Sequence, residues 1–188
     1  MSDPHFTYIE SYLDEKESKV YFDKLMNELD FKQHNIVMYD KEIPEPRLKT
    51  FHTNKEDLTW NYTGSDLKAT RLTPTLQELL ERVSTDLEIE FNSVLCNLYR
   101  NGNDHIGFHF DKESLNHVET HIGSLSLGAT RKFRFRKIKE TSGWEYDIDL
   151  KAGDFVLMMP TCQKTYKHSI IKQPKIKEPR INLTFRQF

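Results

Sequence analysis

A histidine and an aspartate two residues apart, His109 and Asp111, have side chains that could bind a divalent metal ion. On an extended backbone, residues at this spacing point to the same face, so the imidazole and the carboxylate would project together. An iron(II) site built from two histidines and one carboxylate also needs a second histidine and leaves three coordination positions open. Taken alone, the pair is also explained by an ordinary hydrogen bond between neighbouring side chains.

The C-terminal segment from Arg180 to Arg186 alternates strictly between polar and apolar side chains. In a strand, Arg180, Asn182, Thr184 and Arg186 would share one face. A solvated edge strand would show the same alternation. If the polar face instead lined the interior of a barrel, the two arginines would need anionic partners, and a small dicarboxylic acid would satisfy both.

A candidate for the missing metal ligand lies between these two segments. His168 comes 57 residues after Asp111 and 12 residues before Arg180. The chain therefore contains, in order, a pair of ligands, a third ligand and two arginines suited to an anion. This order is compatible with a metal centre beside an anion-binding pocket.

At these residues the sequence resembles the AlkB-like family of Fe(II)/2-oxoglutarate dioxygenases, most closely its nucleic-acid demethylases. The resemblance runs from about Met38 to Phe188. Four motifs stand in the order that the family shows. They are Asn97-x-Tyr99, His109-x-Asp111, His168 and Arg180-x-Asn182-Leu-Thr-Phe-Arg186. The resemblance implies that His109, Asp111 and His168 bind Fe(II), and that 2-oxoglutarate and O2 are cosubstrates.

The same resemblance assigns roles to the residues around the metal. Arg186 is expected to pair with the carboxylate of 2-oxoglutarate nearer the metal. Arg180, Asn97 and Tyr99 are expected to hold the distal carboxylate, and Asn182 belongs to the same cofactor-binding set. The implied reaction is oxidative demethylation of N-alkylated bases, of the 1-methyladenine and 3-methylcytosine type, in DNA.

Four further residues are candidates for contact with the substrate. Tyr39 falls where family members press a wedge into the duplex, although an ordinary surface tyrosine is an alternative. Trp60 and Tyr62 alternate in a segment that resembles the nucleotide-recognition lid, and Tyr62 is the favoured stacking ring. Aromatic residues that belong to the core would show the same pattern. Glu113 lies where family members place a carboxylate near the amino edge of the flipped base, and a carboxylate is a suitable acceptor for an exocyclic amine.

Three other functions remain open at this point. An RNA demethylase would share these active-site motifs, because methylated RNA and DNA present the same target base. A 2-oxoglutarate-dependent hydroxylase of a protein or a small molecule would show no affinity for nucleic acid. A jelly-roll binding module without activity would not need three metal ligands and two arginines.

Length and composition indicate one soluble globular domain. The chain has 188 residues, of which 37% are hydrophobic and 30% charged, and no apolar run approaches the length of a membrane span. The N-terminus lacks the basic and apolar blocks of a signal peptide, so we expect an intracellular protein in the nucleus or cytoplasm. We also expect a monomer without a membrane partner. Cys96 and Cys162 are too few for a disulfide framework and are expected to be buried thiols.

The charge is uneven, although the net charge is only −2. Residues 131–188 contain 14 Lys and Arg but 6 Asp and Glu. Lys132, Arg134 and Arg136 would share one face of a strand and could neutralise phosphates of a nucleic acid. A basic strand face that is merely solvated is the alternative.

Two segments show helical patterns. Asp14 to Leu29 reads as a helix with Asp14 as its N-cap, and Thr73 and Pro74 are typical of the start of a second helix. The apolar stripe of the first helix would consist of Val20, Leu25, Met26 and Leu29. The proline-rich segment from Met38 to Arg47 is predicted to be a hairpin or loop and not a central strand.

From Ser93 onward, short strands separated by turns predict a sandwich or jelly roll. The predicted strands are 93–100, 106–111, 124–128, 132–138, 145–150, 154–159 and 181–185. The resemblance implies a mainly β protein with flanking α-helices, the double-stranded β-helix. We therefore expect one domain over 1–188, with N-terminal helices and the lid in 1–92 and the catalytic jelly roll in 93–188.

Overall fold

A computed structural model describes residues 2–38, 41–55, 59–62, 65–111 and 120–188. Its helices are α1 (Glu15–Glu28), α2 (Pro74–Leu87) and α3 (Cys162–Thr165). Its strands are β1 (Ser2–Asp3), β2 (Phe6–Ile9), β3 (Lys32–Met38), β4 (Lys41–Thr53), β5 (Thr59–Tyr62), β6 (Ser65–Lys68), β7 (Thr70–Arg71), β8 (Ser93–Tyr99), β9 (Ile106–His109), β10 (Ile122–Gly128), β11 (Arg131–Lys137), β12 (Tyr146–Leu150), β13 (Phe155–Met158), β14 (Tyr166–Ile170) and β15 (Arg180–Arg186).

Two sheets enclose the centre of the molecule. In the described part of the chain, the larger sheet has the order β1-β2-β13-β10-β15-β8-β4-β3, with β7 parallel to β4. The smaller sheet has the order β12-β11-β14-β9, and β5 pairs with β6 alone. Apolar residues of both sheets, such as Phe6, Ile122, Phe133 and Phe135, form one cluster between them. The predicted jelly roll with flanking helices is confirmed.

The two long helices pack on the larger sheet through a second apolar cluster that includes Leu25, Leu79 and Phe185. Their predicted N-caps are confirmed. Asp14 accepts a hydrogen bond from the backbone of Glu17, whose side chain accepts one in return from the backbone of Asp14. None of the described helices has the length and apolar character needed to cross a membrane.

The predicted apolar stripe of α1 is wrong at two positions. Val20 and Met26 are 45% and 37% exposed. The helix instead buries Ser18, Tyr21 and Leu25. The buried face of the helix is therefore rotated relative to the predicted one. Tyr21 can take an inward position because its hydroxyl donates a hydrogen bond to Glu78.

All seven strands predicted after residue 92 are present, with ends that differ by up to two residues. The strand β14 was not predicted, since Lys167, His168 and Ser169 break its apolar pattern. Strands from the N-terminal half, β1 to β4, also join the larger sheet, which therefore extends across the expected division at residue 92.

The strand β4 shows why the proline-rich segment was only partly predicted. Residues 41–49 form a hairpin with β3, as expected, and residues 48–53 pair with β8 in the interior of the sheet. Pro44 and Pro46 precede the part that pairs with β8, so neither removes a hydrogen bond from that central ladder. The strand therefore tolerates both prolines and continues into the core.

The capping box of α1 predicts a measurable stability effect. Asp14→Ala should lower the free energy of unfolding by about 1 kcal/mol, because a backbone N–H loses its acceptor at the start of the helix. Asp14→Ser should retain most of the stability, and Lys16→Ala at an exposed position should change it little. Urea denaturation followed by circular dichroism would measure all three. Equal stability of the Asp14→Ala variant and the wild type would contradict the capping role.

Candidate active site

Strand pairing brings the three candidate metal ligands together. His109 at the end of β9 lies directly opposite His168 on β14, and their ring centroids are 4.3 Å apart. Asp111 follows β9, with its carboxylate oxygens 3.9 Å from Nε2 of His109 and 3.7 Å from Nε2 of His168. One ligand atom from each of the three residues lies within 4.8 Å of the others, a spacing that fits a single metal ion.

Neighbouring groups orient two of these ligands. The carbonyl oxygen of Gly107 lies 2.9 Å from Nδ1 of His109 and can only accept a hydrogen bond, so Nδ1 carries the proton. The lone pair of Nε2 is then available to a metal. The backbone N–H of Asp111 donates to Oε1 of the buried Gln163 at 2.9 Å. Sequence reasoning missed Gln163, because its helix α3 has only four residues and no family motif marked it.

The electrostatics of the site favour the metal-binding protonation states. Burial is the main cause that lowers the pKa of His168, and together with the neighbouring His109 and Arg186 it brings that pKa to about 3, although Asp111 acts to raise it. Burial also lowers the pKa of His109. Burial would raise the pKa of Asp111, but Arg186 and the two histidines outweigh it and hold that pKa below its usual range. Near neutral pH the site therefore presents two neutral imidazoles and one carboxylate.

The polar face of β15 lines the same pocket as the metal ligands. Every residue of this strand is buried, and it runs between β10 and β8 in the larger sheet. Arg180 lies opposite Tyr99, and Asn182 lies opposite Asn97. All four residues, together with Arg186, line the pocket that also contains the metal ligands. The alternative of a solvated edge strand is therefore excluded.

Arg180 has unused hydrogen-bonding capacity in this pocket. Its side chain donates to Oγ of Ser126 at 2.8 Å, and its guanidinium lies 5.3 Å from the centre of the Tyr99 ring. Its Nε and Nη1 atoms are buried and have no hydrogen-bond partner among the described residues. Burial lowers the pKa of Arg180 to about 10, so it remains charged at neutral pH. A carboxylate is the ligand that would satisfy such a group.

Arg186 stands closer to the metal ligands. Its Nη2 atom donates to Oδ1 of Asp111 at 2.9 Å, and both side chains are only 5% exposed. This charge-assisted hydrogen bond keeps the carboxylate ionised and fixes its orientation. Arg186 is therefore linked to the metal centre through Asp111.

The pocket also contains a charged residue that sequence reasoning missed. Arg47 on β4 is buried, and its Nε atom donates to Oδ1 of Asn97 at 3.1 Å. The buried Glu45 lies 3.6 Å from Arg47 and 3.1 Å from Lys49. Glu45, Arg47 and Lys49 alternate along β4 on one face, which was the available signal, but Pro44 and Pro46 suggested a loop.

Of the four candidate substrate residues, the structure describes two, on the strand β5. Tyr39 and Glu113 lie outside the described residues. Trp60 and Tyr62 lie two residues apart on β5, opposite Leu67 and Ser65 of β6.

The basic strand face is partly neutralised within the protein. Lys132 and Arg134 lie 3.7 Å and 3.1 Å from carboxylate oxygens of Asp147 on the adjacent strand β12. The guanidinium of Arg136 stacks on the ring of Phe108 at 3.9 Å. The face therefore carries less free positive charge than its sequence suggested.

Two imidazoles and a carboxylate inside a jelly roll, with coordination positions left open, are the arrangement that non-haem Fe(II) oxygenases use. Residues 5–186 match the 2OG-Fe(II) oxygenase superfamily, and the chain belongs to it. Membership of this superfamily implies Fe(II) and 2-oxoglutarate as cofactors, and the group of His109, Asp111 and His168 fits the iron. The recognised similarity to AlkB-like dioxygenases is confirmed.

Two curated relatives and one solved structure show this similarity. The chain is 33% identical over 184 residues to the human alpha-ketoglutarate-dependent dioxygenase alkB homolog 3, a match that covers 93% of this chain and 63% of the relative. It is 34% identical over 137 residues to the bovine DNA oxidative demethylase ALKBH2, covering 69% and 49%. The structure of OsALKBH1 superposes with a TM-score of 0.65 at 15% identity and covers 100% of both chains, which shows the shared fold.

The geometry of the metal centre predicts the effect of removing a ligand. His109→Ala, Asp111→Asn and His168→Ala should each weaken binding of Mn(II), a stand-in for Fe(II), by at least about tenfold. The two alanines delete a donor nitrogen, and the amide removes the negative charge of the carboxylate. Turnover of 2-oxoglutarate should fall with it. Calorimetric titration of Mn(II) would measure the affinity, and circular dichroism would verify folding.

His121→Ala provides the matched control, since His121 is half-buried and lies outside the group of three ligands. This variant should bind Mn(II) as the wild type does. Wild-type affinity in one of the three ligand variants would remove that residue from the metal site.

Proposed function

We propose that this dioxygenase catalyses oxidative demethylation of N-alkylated bases in DNA, of the 1-methyladenine and 3-methylcytosine type. The observation that carries the proposal is a pocket in which a metal site and an incompletely paired buried arginine lie together. The similarity to a relative named DNA oxidative demethylase supports DNA as the substrate. The chain spans 63% of the human relative's length, so the assignment concerns the part that the two proteins share.

The residues of the pocket divide the binding of 2-oxoglutarate between two ends. Arg180 would pair with the distal carboxylate through its two atoms that have no described partner, aided by Asn97 and Tyr99. Arg186 would meet the carboxylate nearer the metal while it continues to hold Asp111. Asn182 donates to Oγ of Ser124 at 2.9 Å and would fix the wall between the two ends.

Fe(II), 2-oxoglutarate and O2, when bound, supply the oxidation of an N-methyl carbon, whose hydroxylated form leaves as formaldehyde. The chain's own residues hold and orient these groups. His109, Asp111 and His168 would hold the iron through two imidazoles and one carboxylate, a ligand set that leaves coordination positions for the cosubstrates. Most of the charged and polar side chains of the pocket are buried between the sheets, which strengthens the charged interactions among them.

Recognition of the methylated base is proposed from the sequence resemblance. Methylation at the Watson-Crick edge of adenine or cytosine makes the base cationic, so an aromatic face and a carboxylate both attract it. Tyr62 would stack on the base with Trp60 in support, and Glu113 would accept a hydrogen bond from its amino edge. Tyr39 would press on the duplex beside the flipped nucleotide. Weak pairing of the damaged base lowers the cost of flipping it.

The arginines should control the use of 2-oxoglutarate. Arg180→Ala and Arg186→Ala each leave a carboxylate without its partner, so the binding free energy should weaken by roughly 2 to 5 kcal/mol. Calorimetric titration of 2-oxoglutarate into the Mn(II)-loaded protein would measure this loss. Arg100→Ala is the control, because Arg100 is about half exposed and pairs with Asp104 away from the pocket. Unchanged affinity in both arginine variants would refute the proposed roles.

The lid residues should affect demethylation without affecting the metal or the cosubstrate. Tyr62→Ala and Glu113→Gln should lower formaldehyde release from a methylated single-stranded oligonucleotide and leave the affinity for 2-oxoglutarate unchanged. Arg136→Glu should instead weaken binding of all nucleic acids alike and reduce its salt dependence, because phosphate contacts position a strand without reading it. Wild-type formaldehyde release by both lid variants would contradict the assigned contacts.

Comparison of substrates separates this proposal from its alternatives. Release of formaldehyde from methylated RNA but not from methylated DNA would indicate an RNA demethylase. Consumption of 2-oxoglutarate on a protein or small molecule, with no activity on any methylated nucleic acid, would indicate a hydroxylase.

A further inference from the structure

A fully buried arginine that the proposed reaction does not use lies behind the cosubstrate pocket. Arg131, the first residue of β11, is 1% exposed. Its Nη2 atom donates to the carbonyl oxygens of Asp104 at 2.8 Å and Ile171 at 2.7 Å. Its Nη1 atom donates to the carbonyl oxygen of Asn101 at 3.2 Å, and Nε donates to Oε1 of Gln173 at 3.4 Å. One guanidinium thus binds four acceptors.

These acceptors lie on two separate connections. Residues 100–105 connect β8 to β9, and residues 171–179 connect β14 to β15. The strands that enter and leave these connections carry the two metal-binding histidines and the residues proposed to hold the distal carboxylate. Arg131 therefore fixes the ends of all four strands relative to one another.

The two connections are in close contact. The backbone N–H of Gly102 donates to the carbonyl oxygen of Ile176 at 2.9 Å, and the N–H of Gln173 donates to the carbonyl oxygen of Gly102 at 2.8 Å. A Cβ atom on Gly102 would lie 1.8 Å from the carbonyl oxygen of Gln173, so only glycine fits there. A change at Arg131 would therefore be transmitted through backbone contacts.

Arg131 also contacts a proposed cosubstrate residue directly. Its guanidinium lies 5.6 Å from the centre of the Tyr99 ring, and that of Arg180 lies 5.3 Å from the same centre. The Tyr99 side chain is only 3% exposed. Both cations attract the π-face of the ring, so its position depends on Arg131 as well as on Arg180.

We propose that Arg131 is a positioning residue for 2-oxoglutarate, which holds Tyr99 and the strand ends so that Arg180 meets the distal carboxylate. This inference rests on the proposed role of Arg180 and Tyr99 in binding that carboxylate. Arg131 is itself neither a metal ligand nor one of the residues that line the pocket. Loss of a purely structural arginine should weaken the binding of both Mn(II) and 2-oxoglutarate. Loss of Arg131 should weaken the binding of 2-oxoglutarate alone.

The test compares two ligands in the same variant. Arg131→Met should weaken 2-oxoglutarate binding to the Mn(II)-loaded protein by about tenfold, the size of effect seen for supporting residues. Its affinity for Mn(II) alone should stay within about twofold of the wild type, since no metal ligand contacts Arg131. Arg131→Lys should restore part of the 2-oxoglutarate affinity, because an ammonium retains the charge beside Tyr99 but forms fewer hydrogen bonds. Calorimetric titrations of Mn(II) and of 2-oxoglutarate give both values.

Arg100→Met is the matched control, because Arg100 belongs to the same connection and its side chain pairs with Asp104 at 2.7 Å on the solvent side. It should leave both affinities unchanged. Gln173→Ala removes one acceptor of Arg131 and keeps the test informative if Arg131→Met does not fold. It should weaken 2-oxoglutarate binding by about threefold and leave Mn(II) binding unchanged.

Two results would overturn the inference. One is unchanged affinity for 2-oxoglutarate in both Arg131→Met and Gln173→Ala. The other is a parallel loss of Mn(II) and 2-oxoglutarate affinity, which would indicate a general structural role. Arg180→Ala distinguishes these results from failure of the proposed function. If Arg180→Ala binds 2-oxoglutarate normally, the proposed role of Arg180 in binding the distal carboxylate is wrong. If Arg180→Ala binds it weakly while Arg131→Met and Gln173→Ala bind it normally, only the role of Arg131 is refuted.

Discussion

Buried charge is the constraint on which this structure depends. Asp111, Arg180 and Arg186 are each no more than 5% exposed between two sheets, and removing charges from water is costly unless partners replace the lost hydration. Asp111 and Arg186 partner each other. Arg180 retains two donor atoms without a described partner. A buried guanidinium is destabilising without a full set of acceptors and stabilising beside a carboxylate, which is the physical reason for the role proposed for Arg180.

The scaffold explains how these groups are held. The two histidines face each other because β9 and β14 pair. The residues proposed to hold the cosubstrate align because β8 and β15 pair over seven consecutive positions. Backbone hydrogen bonds therefore set the spacing of the site, and the side chains add its chemistry. The connections at one end of these strands are tied together through Arg131, which links the metal half of the pocket to the cosubstrate half.

Much of this arrangement could be predicted from the sequence. Period-two alternation located β15 and placed its two arginines on one face, but it left open whether that face was solvated. The caps of α1 and α2 follow from local hydrogen bonding that the sequence displays. What failed depends on tertiary context. β14 is polar because it carries His168. β4 contains prolines, whose missing N–H group matters only where a neighbouring strand needs a donor. Gln163 and Arg131 act through contacts between residues distant in the chain, and alternation cannot reveal those.

The central claim is that this fold uses its metal and 2-oxoglutarate to remove a methyl group from a base. Mass spectrometry of a DNA oligonucleotide containing 1-methyladenine or 3-methylcytosine, incubated with wild-type protein, Fe(II), 2-oxoglutarate and O2, tests it most directly. The account predicts conversion to the unmethylated base, with formaldehyde and succinate formed in equal amounts and no conversion when 2-oxoglutarate is omitted. Succinate formation on another substrate, with methylated DNA left unchanged, would contradict it.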